Sequence, residues 1–299
     1  MVITISAKNT KEQIMNKIPH NKIGRYALEE IRKLQNIPIE VVEDKESLSD
    51  VFAAVVIGHI TKANQAARPL TLIMPVGPTG QWEKILKTAI HDKINLSRLS
   101  IIQMDEYLTD DASGKLAIDN PFSFTRFVQD NFAAAASAQC GFKPENWIIP
   151  DPRRPELVSQ AIEERGGVDV AFAGIGLNGH LAFNEPPEPG SAETDASFPE
   201  ISTRIVRISS FTKATNSIFG TGGDLGSVPD FAVTIGMKQI LEAKCVHVFL
   251  DWHWQRFVFR RTLLGAVSKD FPASFLQRHK NVHFTVTEEV AAIHPLIPE

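Results

Sequence analysis

"VDVAFAGIGLNGHLAFNEP", residues 168–186, opens as an apolar run and breaks on glycines, a histidine and a glutamate. A short run of this kind, bounded by turn residues, reads as a strand covered on both faces. Gly174, Gly176 and Gly179 fit the spacing GxGxxG. A dinucleotide fingerprint also needs a helix directly after the glycines, because the helix N-terminus holds the pyrophosphate. Asn184, Pro186, Pro187 and Pro189 would stop such a helix within about two turns. The stretch therefore reads as a strand ending in a shaped turn that carries His180 and, five residues on, Glu185. A carboxylate at that separation reaches one imidazole nitrogen through a turn and leaves the other free as acid or base.

The same rhythm repeats on both sides. "IEVVED" (39–44), "LTLIMPV" (70–76), "LSIIQM" (99–104), "CVHVFLD" (245–251) and "NVHFTV" (281–286) read as strands. Between them "KESLSDVFAAVVIGHITKANQA" (45–66), "QWEKILKTAIHDK" (81–93), "FSFTRFVQDNFAAAA" (122–136), "KQILEA" (238–243) and "WQRFVFRRTLLGAV" (254–267) read as helices. Strands that are apolar throughout and alternate with helices imply an α/β fold, a doubly wound, mainly parallel, Rossmann-like sheet with helices on both faces. Residues 11–35 have helical apolar spacing broken at Pro19, so two short helices are expected. The organisation expected is one domain over residues 37–299 preceded by an N-terminal helical extension over 1–36.

Bulk properties narrow the function. The 299 residues carry 31 basic and 35 acidic side chains, a net charge of -4, with no long run of like charge, which argues against a nucleic-acid partner. No segment has the apolar length of a membrane span and the first residues lack a signal-peptide core, so a cytoplasmic location is expected. Cys140 and Cys245 are the two cysteines and have no CxxC spacing. The nine histidines show no HExxH or HxH pattern, so neither a metal nor another cofactor is expected.

Ligands of such sheets bind beyond the carboxyl ends of the strands. Three further strand ends matter for that reason. "PVGPTGQ" (75–81) sets Gly77, Pro78, Thr79 and Gly80 ahead of a helix; without the GK[ST] ending it is no nucleotide P-loop, and it reads equally as a plain turn or as a monoester phosphate cradle. "IIQMDEY" ends in Asp105 and Glu106, consecutive carboxylates that must point in different directions, one toward the crevice and one into the loop. "DWHWQR" (251–256) follows a strand with aromatic residues beside a charge.

"MDEY" (104–107), "GHLAFNEP" (179–186) and "AVTIGMKQIL" (232–241) together resemble the glucosamine-6-phosphate deaminase/isomerase family, whose fold is shared with the 6-phosphogluconolactonases. The resemblance covers roughly residues 37–295, and the FNEP ending favours the deaminase branch. It implies aldose-ketose isomerisation of a 6-phosphosugar substrate with release of ammonia. Asp105 would move a proton between C1 and C2, His180 would open the ring, and Glu185 would orient His180 and share its proton relay. Asn178 stands where many members have Asp. Gly77, Pro78, Thr79 and Gly80 would bind phosphate, together with Lys213 of "FTKATN" and Arg256 of "DWHWQR", which replace the family's arginine and lysine. By analogy a homo-oligomer is expected. A lactonase-type hydrolase, using His180 on water without Asp105, and a non-catalytic sugar-phosphate sensor remain alternatives.

Overall fold

The computed structural model describes residues 18–296. The helix anticipated before Pro19 lies outside them, while helices His20–Ile23 and Leu28–Leu34 follow it. Ten strands are present among the described residues: β1 (Ile39–Val42), β2 (Leu70–Met74), β3 (Leu99–Gln103), β4 (Asp105–Tyr107), β5 (Trp147–Ile148), β6 (Val170–Ala173), β7 (Arg204–Arg207), β8 (Phe231–Thr234), β9 (Cys245–Leu250) and β10 (Val282–Thr287). Seven form one parallel sheet in the order β1-β10-β9-β6-β2-β3-β5.

Alternation along each strand sends side chains to opposite faces, and both faces are apolar. Leu70, Leu72 and Met74 of β2, with Phe172 of β6 and Phe249 of β9, pack under helices Lys45–Gln65 and Gly80–His91. Ile73, Ala171, Val248 and Phe284 face the other core, where helix Gln255–Leu264 lies. Ile23 and Ile31 join this second core, and Gln35 Nε2 donates to Leu263 O at 2.6 Å, so the described part of the N-terminal segment is fastened to the main body. The fold is an α/β single domain. Among the described residues no helix is long and apolar enough to cross a membrane.

The chain runs from β2 outward through β3 to β5, then returns to place β6 on the other side of β2 and continues outward through β9 and β10. The winding reverses between β2 and β6, which leaves a crevice at their carboxyl ends. The loops after β2 and β6, residues 75–79 and 174–180, open there.

A second sheet, antiparallel β4-β8-β7, stands beside that crevice. The sequence reading anticipated none of its strands. They are three or four residues long, and "RIVR" of β7 alternates half-buried with exposed positions, too short a pattern to separate from loop. This sheet pairs Asp105 with Thr234 and so fixes the backbone that carries the first MDEY carboxylate.

Candidate active site

A cavity of about 570 Å³ occupies the crevice. Gly77, Pro78 and Thr79 line it from the β2 loop, Asp105 from β4, Gly174, Gly176 and His180 from the β6 loop, and Asp251, Trp252 and Gln255 from the β9 loop. Loops more than a hundred positions apart in sequence thus meet around one volume. A larger groove of about 720 Å³ lies on the outside of helices Lys45–Gln65 and Gly80–His91 and contains none of these strand-end residues.

Two of the three glycines in the 174–179 turn answer a packing demand. A Cβ on Gly176 would fall 2.0–2.4 Å from three atoms of the His180 ring, so the imidazole lies against this backbone only because it is glycine. Gly179 has φ +85°, and a Cβ there would strike the Phe271 ring at 2.5 Å. The residues after the glycines form turns, with Leu181 and Asn184 bridged, and no helix follows.

Asp105 and Glu106 part as consecutive strand residues must. Glu106 is fully buried and accepts hydrogen bonds from the backbone N–H groups of Tyr107 (2.9 Å), Phe124 (2.9 Å) and Thr125 (2.6 Å), which pins the start of helix Phe124–Val128. Asp105 faces the cavity, 8% exposed. Burial, with the neighbouring Glu106 charge adding to it, pushes its carboxyl up to about 8. A carboxylate so tuned is a much stronger proton acceptor than an ordinary one.

The direct His180–Glu185 hydrogen bond that their spacing suggests does not form; Nδ1 and Oε2 stand 3.9 Å apart. Asn178 bridges them, its Nδ2 donating to Glu185 Oε2 at 2.6 Å while its Oδ1 lies 2.8 Å from His180 Nδ1. A carboxylate only accepts, so the amide must turn its NH₂ toward Glu185 and its oxygen toward the ring. The neutral imidazole then carries its proton on Nδ1 and its lone pair on Nε2. Because an amide passes no proton along, the chain Glu185–Asn178–His180 orients the ring without relaying through it. Ser209 completes the mount, giving Glu185 Oε2 a hydroxyl hydrogen bond at 2.6 Å and Oε1 a backbone one at 3.2 Å. Burial holds the His180 imidazole below its usual pKa despite the Glu185 charge, while Glu185 is held below its usual value by that partner and its hydrogen bonds, against its own burial.

Much of the rest of the cavity lining is aromatic: Phe122, Phe124, Phe127, Phe219, Trp252 and Trp254 belong to it, with the Phe219 and Trp252 rings 4.0 Å apart. Among the described residues lining the cavity there is no Lys or Arg. Lys213 pairs with Asp230 and Arg256 with Glu289, and neither lines the cavity. Gly80 also stays off the lining, its α-hydrogen side facing Ser49. The basic side chain in contact with the wall is Lys45, whose Nζ sits 4.5 Å over the Trp252 ring and 3.2 Å from Asp251 Oδ2.

Two supporting residues escaped the sequence reading. Gln255 donates to Ile175 O at 2.9 Å and accepts from Asp251 N and Trp252 N at 3.0 Å each, tying the β6 and β9 loops together. Asn184 is fully buried, donates to Leu181 O and Ile235 O, and accepts from Arg204 at 2.7 Å, which makes it a brace of the FNEP turn. Ser209 left the one readable trace, an N-cap pattern confirmed by its hydrogen bond from Thr212 N.

No protein-family model matches the chain. The glucosamine-6-phosphate deaminase of Porphyromonas gingivalis is 31% identical over 259 residues, 84% of this chain and 90% of that protein. Glucosamine-6-phosphate deaminase 2 of Bacillus subtilis is 29% identical over 267 residues, 86% of this chain and 97% of that protein. Among solved structures, a monomeric glucosamine-6-phosphate deaminase superposes with a TM-score of 0.72 at 24% identity, covering 86% of this chain and all of that one. The 6-phosphogluconolactonase of Trypanosoma brucei superposes with 0.62 at 16% identity, covering 86% and 98%. These two likenesses speak for the fold.

Proposed function

The chain belongs to the glucosamine-6-phosphate deaminase family, and we propose that it converts an amino-sugar 6-phosphate, with water, to the ketose 6-phosphate and ammonia. The observation that carries this reading is the presence of Asp105 and His180 on one cavity, each held by a separate and fully formed set of supports. An aldose-ketose shift needs a base that reaches a carbon-bound hydrogen and a second group that manages the ring oxygen.

His180 Nε2, with its lone pair free, takes the proton of the anomeric hydroxyl and returns it to the ring oxygen as the C1–O5 bond breaks. Asp105, once ionised, removes the proton from C2 of the open-chain aldehyde. The electron pair of that C–H bond becomes the C1–C2 double bond, and the aldehyde oxygen takes up a proton. Asp105 then delivers a proton to C1 while the nitrogen lone pair forms the C2 iminium. Water adds at C2 and ammonia leaves, so that amino-sugar phosphate and water are consumed and ketose phosphate and ammonia are formed.

The phosphate goes to the Gly77–Pro78–Thr79 loop. The twelve-residue helix Gly80–His91 begins there, and first-turn N–H groups have no partner within a helix, so amides and dipole together favour an anion. Lys213 and Arg256, tied up in their own ion pairs, contribute at most from a distance.

The test is an assay of amino-sugar phosphates, plain sugar phosphates and 6-phosphogluconolactone against the purified chain. Ammonia and ketose phosphate formed in equal amounts from an amino-sugar phosphate is the expected result. Turnover of the lactone alone would replace this reading with a hydrolase, and binding without turnover across the set would replace it with a sensor.

A further inference from the structure

The opposite end of the sheet holds a second cluster of chemically capable side chains. Cys245 and His247 are two residues apart on β9 and so project from the same face. The parallel register sets His247 beside His283 of β10, which adds the second imidazole to that face. One ligand atom from each of Cys245, His247 and His283 lies within 4.8 Å of the others. The His247 and His283 rings are 4.7 Å apart, and His59, from the covering helix Lys45–Gln65, meets His247 edge-on at 5.7 Å. Cysteine and histidines that are distant in sequence are brought together only by strand register, which is why linear spacing alone left a metal unexpected.

We infer that Cys245, His247 and His283 bind a zinc-class divalent cation at the amino-terminal ends of β9 and β10. One thiolate and two imidazoles are a borderline-soft donor set, the kind that selects zinc over the hard cations magnesium and calcium. Ligation replaces the Cys245 thiol proton, so binding forms a sulfur–metal bond and releases one proton to solvent.

The surroundings suit the purpose. His283 Nε2 lies 3.0 Å from Asn281 Oδ1, and the same amide gives its Nδ2 to Lys244 O at 3.2 Å, so Oδ1 is the atom facing the ring. That leaves the His283 lone pair on Nδ1 and fixes ring orientation, as outer hydrogen bonds do at metal centres. Cys245 is 7% exposed, while His247 and His283 are partly exposed, which gives an ion a way in.

The cluster clips β9 to β10 at the end of the strands away from the cavity, and its role is therefore structural. It stands independently of the catalytic reading. The experiment is a titration of the metal-free, tag-free chain with Co²⁺, followed by displacement with Zn²⁺. The expected result is one Co²⁺ per chain with a thiolate-to-metal charge-transfer band and the visible bands of a tetrahedral site. Cys245→Ser should remove the charge-transfer band, and His283→Gln, at a partly exposed position, should weaken binding about tenfold or more while thermal melting shows the fold intact. Absence of the band in the native chain, or equal Co²⁺ affinity in His283→Gln, would overturn the site. Sugar-phosphate turnover should be the same with and without the ion.

Discussion

The polar and the aromatic parts of the cavity lining are built on different principles. The titratable groups assigned to the chemistry are mounted: Asp105 on a three-stranded sheet whose next residue, Glu106, is held by three backbone donors, and His180 on an amide and a carboxylate. The rest of the lining is largely aromatic, and the two cations matched to phosphate binding by sequence position are engaged with Asp230 and Glu289 off it. On the proposed reading, the groups assigned to proton transfer line the cavity, while the two cations matched to the family's phosphate site stand off it. Proton transfer tolerates little change in geometry, whereas an anion is satisfied by several combinations of amides, dipoles and cations.

The contrast can be broken at four places. The largest effect is expected for Asp105→Asn, which should lower kcat about a thousandfold while sugar-phosphate binding persists, measured by steady-state kinetics beside calorimetry. In the native chain kcat/KM should rise with pH through about 8, since Asp105 accepts a proton only after losing its own. The stability sign is opposite. The folded chain keeps this proton to higher pH than the unfolded one, so Asp105 costs progressively more stability as pH rises from the ordinary carboxylate range to about 8. Asp105→Asn should therefore melt higher than the native chain at pH 9.

Next in size is Gly176→Ala. The added methyl displaces the His180 ring, and about a hundredfold loss in kcat/KM is expected with the thermal transition still cooperative. Smaller again is Asn178→Asp, which places a charge on Nδ1 of His180 and should raise the imidazole pKa by about one unit in an NMR titration. An unchanged pKa would show that the amide does not set the ring's electrostatics. The smallest effects belong to Lys213→Ala and Arg256→Ala, with kcat/KM for phosphorylated substrates kept within about fivefold, since both side chains are engaged in their own ion pairs off the cavity lining. A loss confined to phosphorylated substrates and well beyond tenfold would show that these cations swing into the cavity, erasing the contrast.

Much of this was legible in the chain because it follows from local pattern. Continuous apolar runs such as "LTLIM" gave away strands buried on both faces, and the prolines after Glu185 ruled out a helix behind the glycines. Strand alternation alone requires Asp105 and Glu106 to diverge, while which of them faces the cavity came only from the family resemblance. What escaped depends on partners remote in sequence. In the β4-β8-β7 sheet β4 pairs with β8 across more than a hundred residues of chain, and the strands are too short to carry a period. Asn178 as a bridge in the His180–Glu185 link needed the actual turn geometry. The engagement of Lys213 and Arg256 depends on Asp230 and Glu289, which no spacing rule connects to them. Gln255 shows the same limit: an ordinary polar residue becomes a loop tie only once Ile175 is beside it.

The central claim is that Asp105 exchanges the substrate's carbon-bound proton inside the cavity it shares with His180. Incubating the chain in D₂O with ketose 6-phosphate and ammonium, and following C1 by NMR, tests it most directly. The account predicts stereospecific replacement of one C1 hydrogen by deuterium in the native chain and none in Asp105→Asn. Equal exchange in both, or none in a native chain that turns the substrate over, would contradict it.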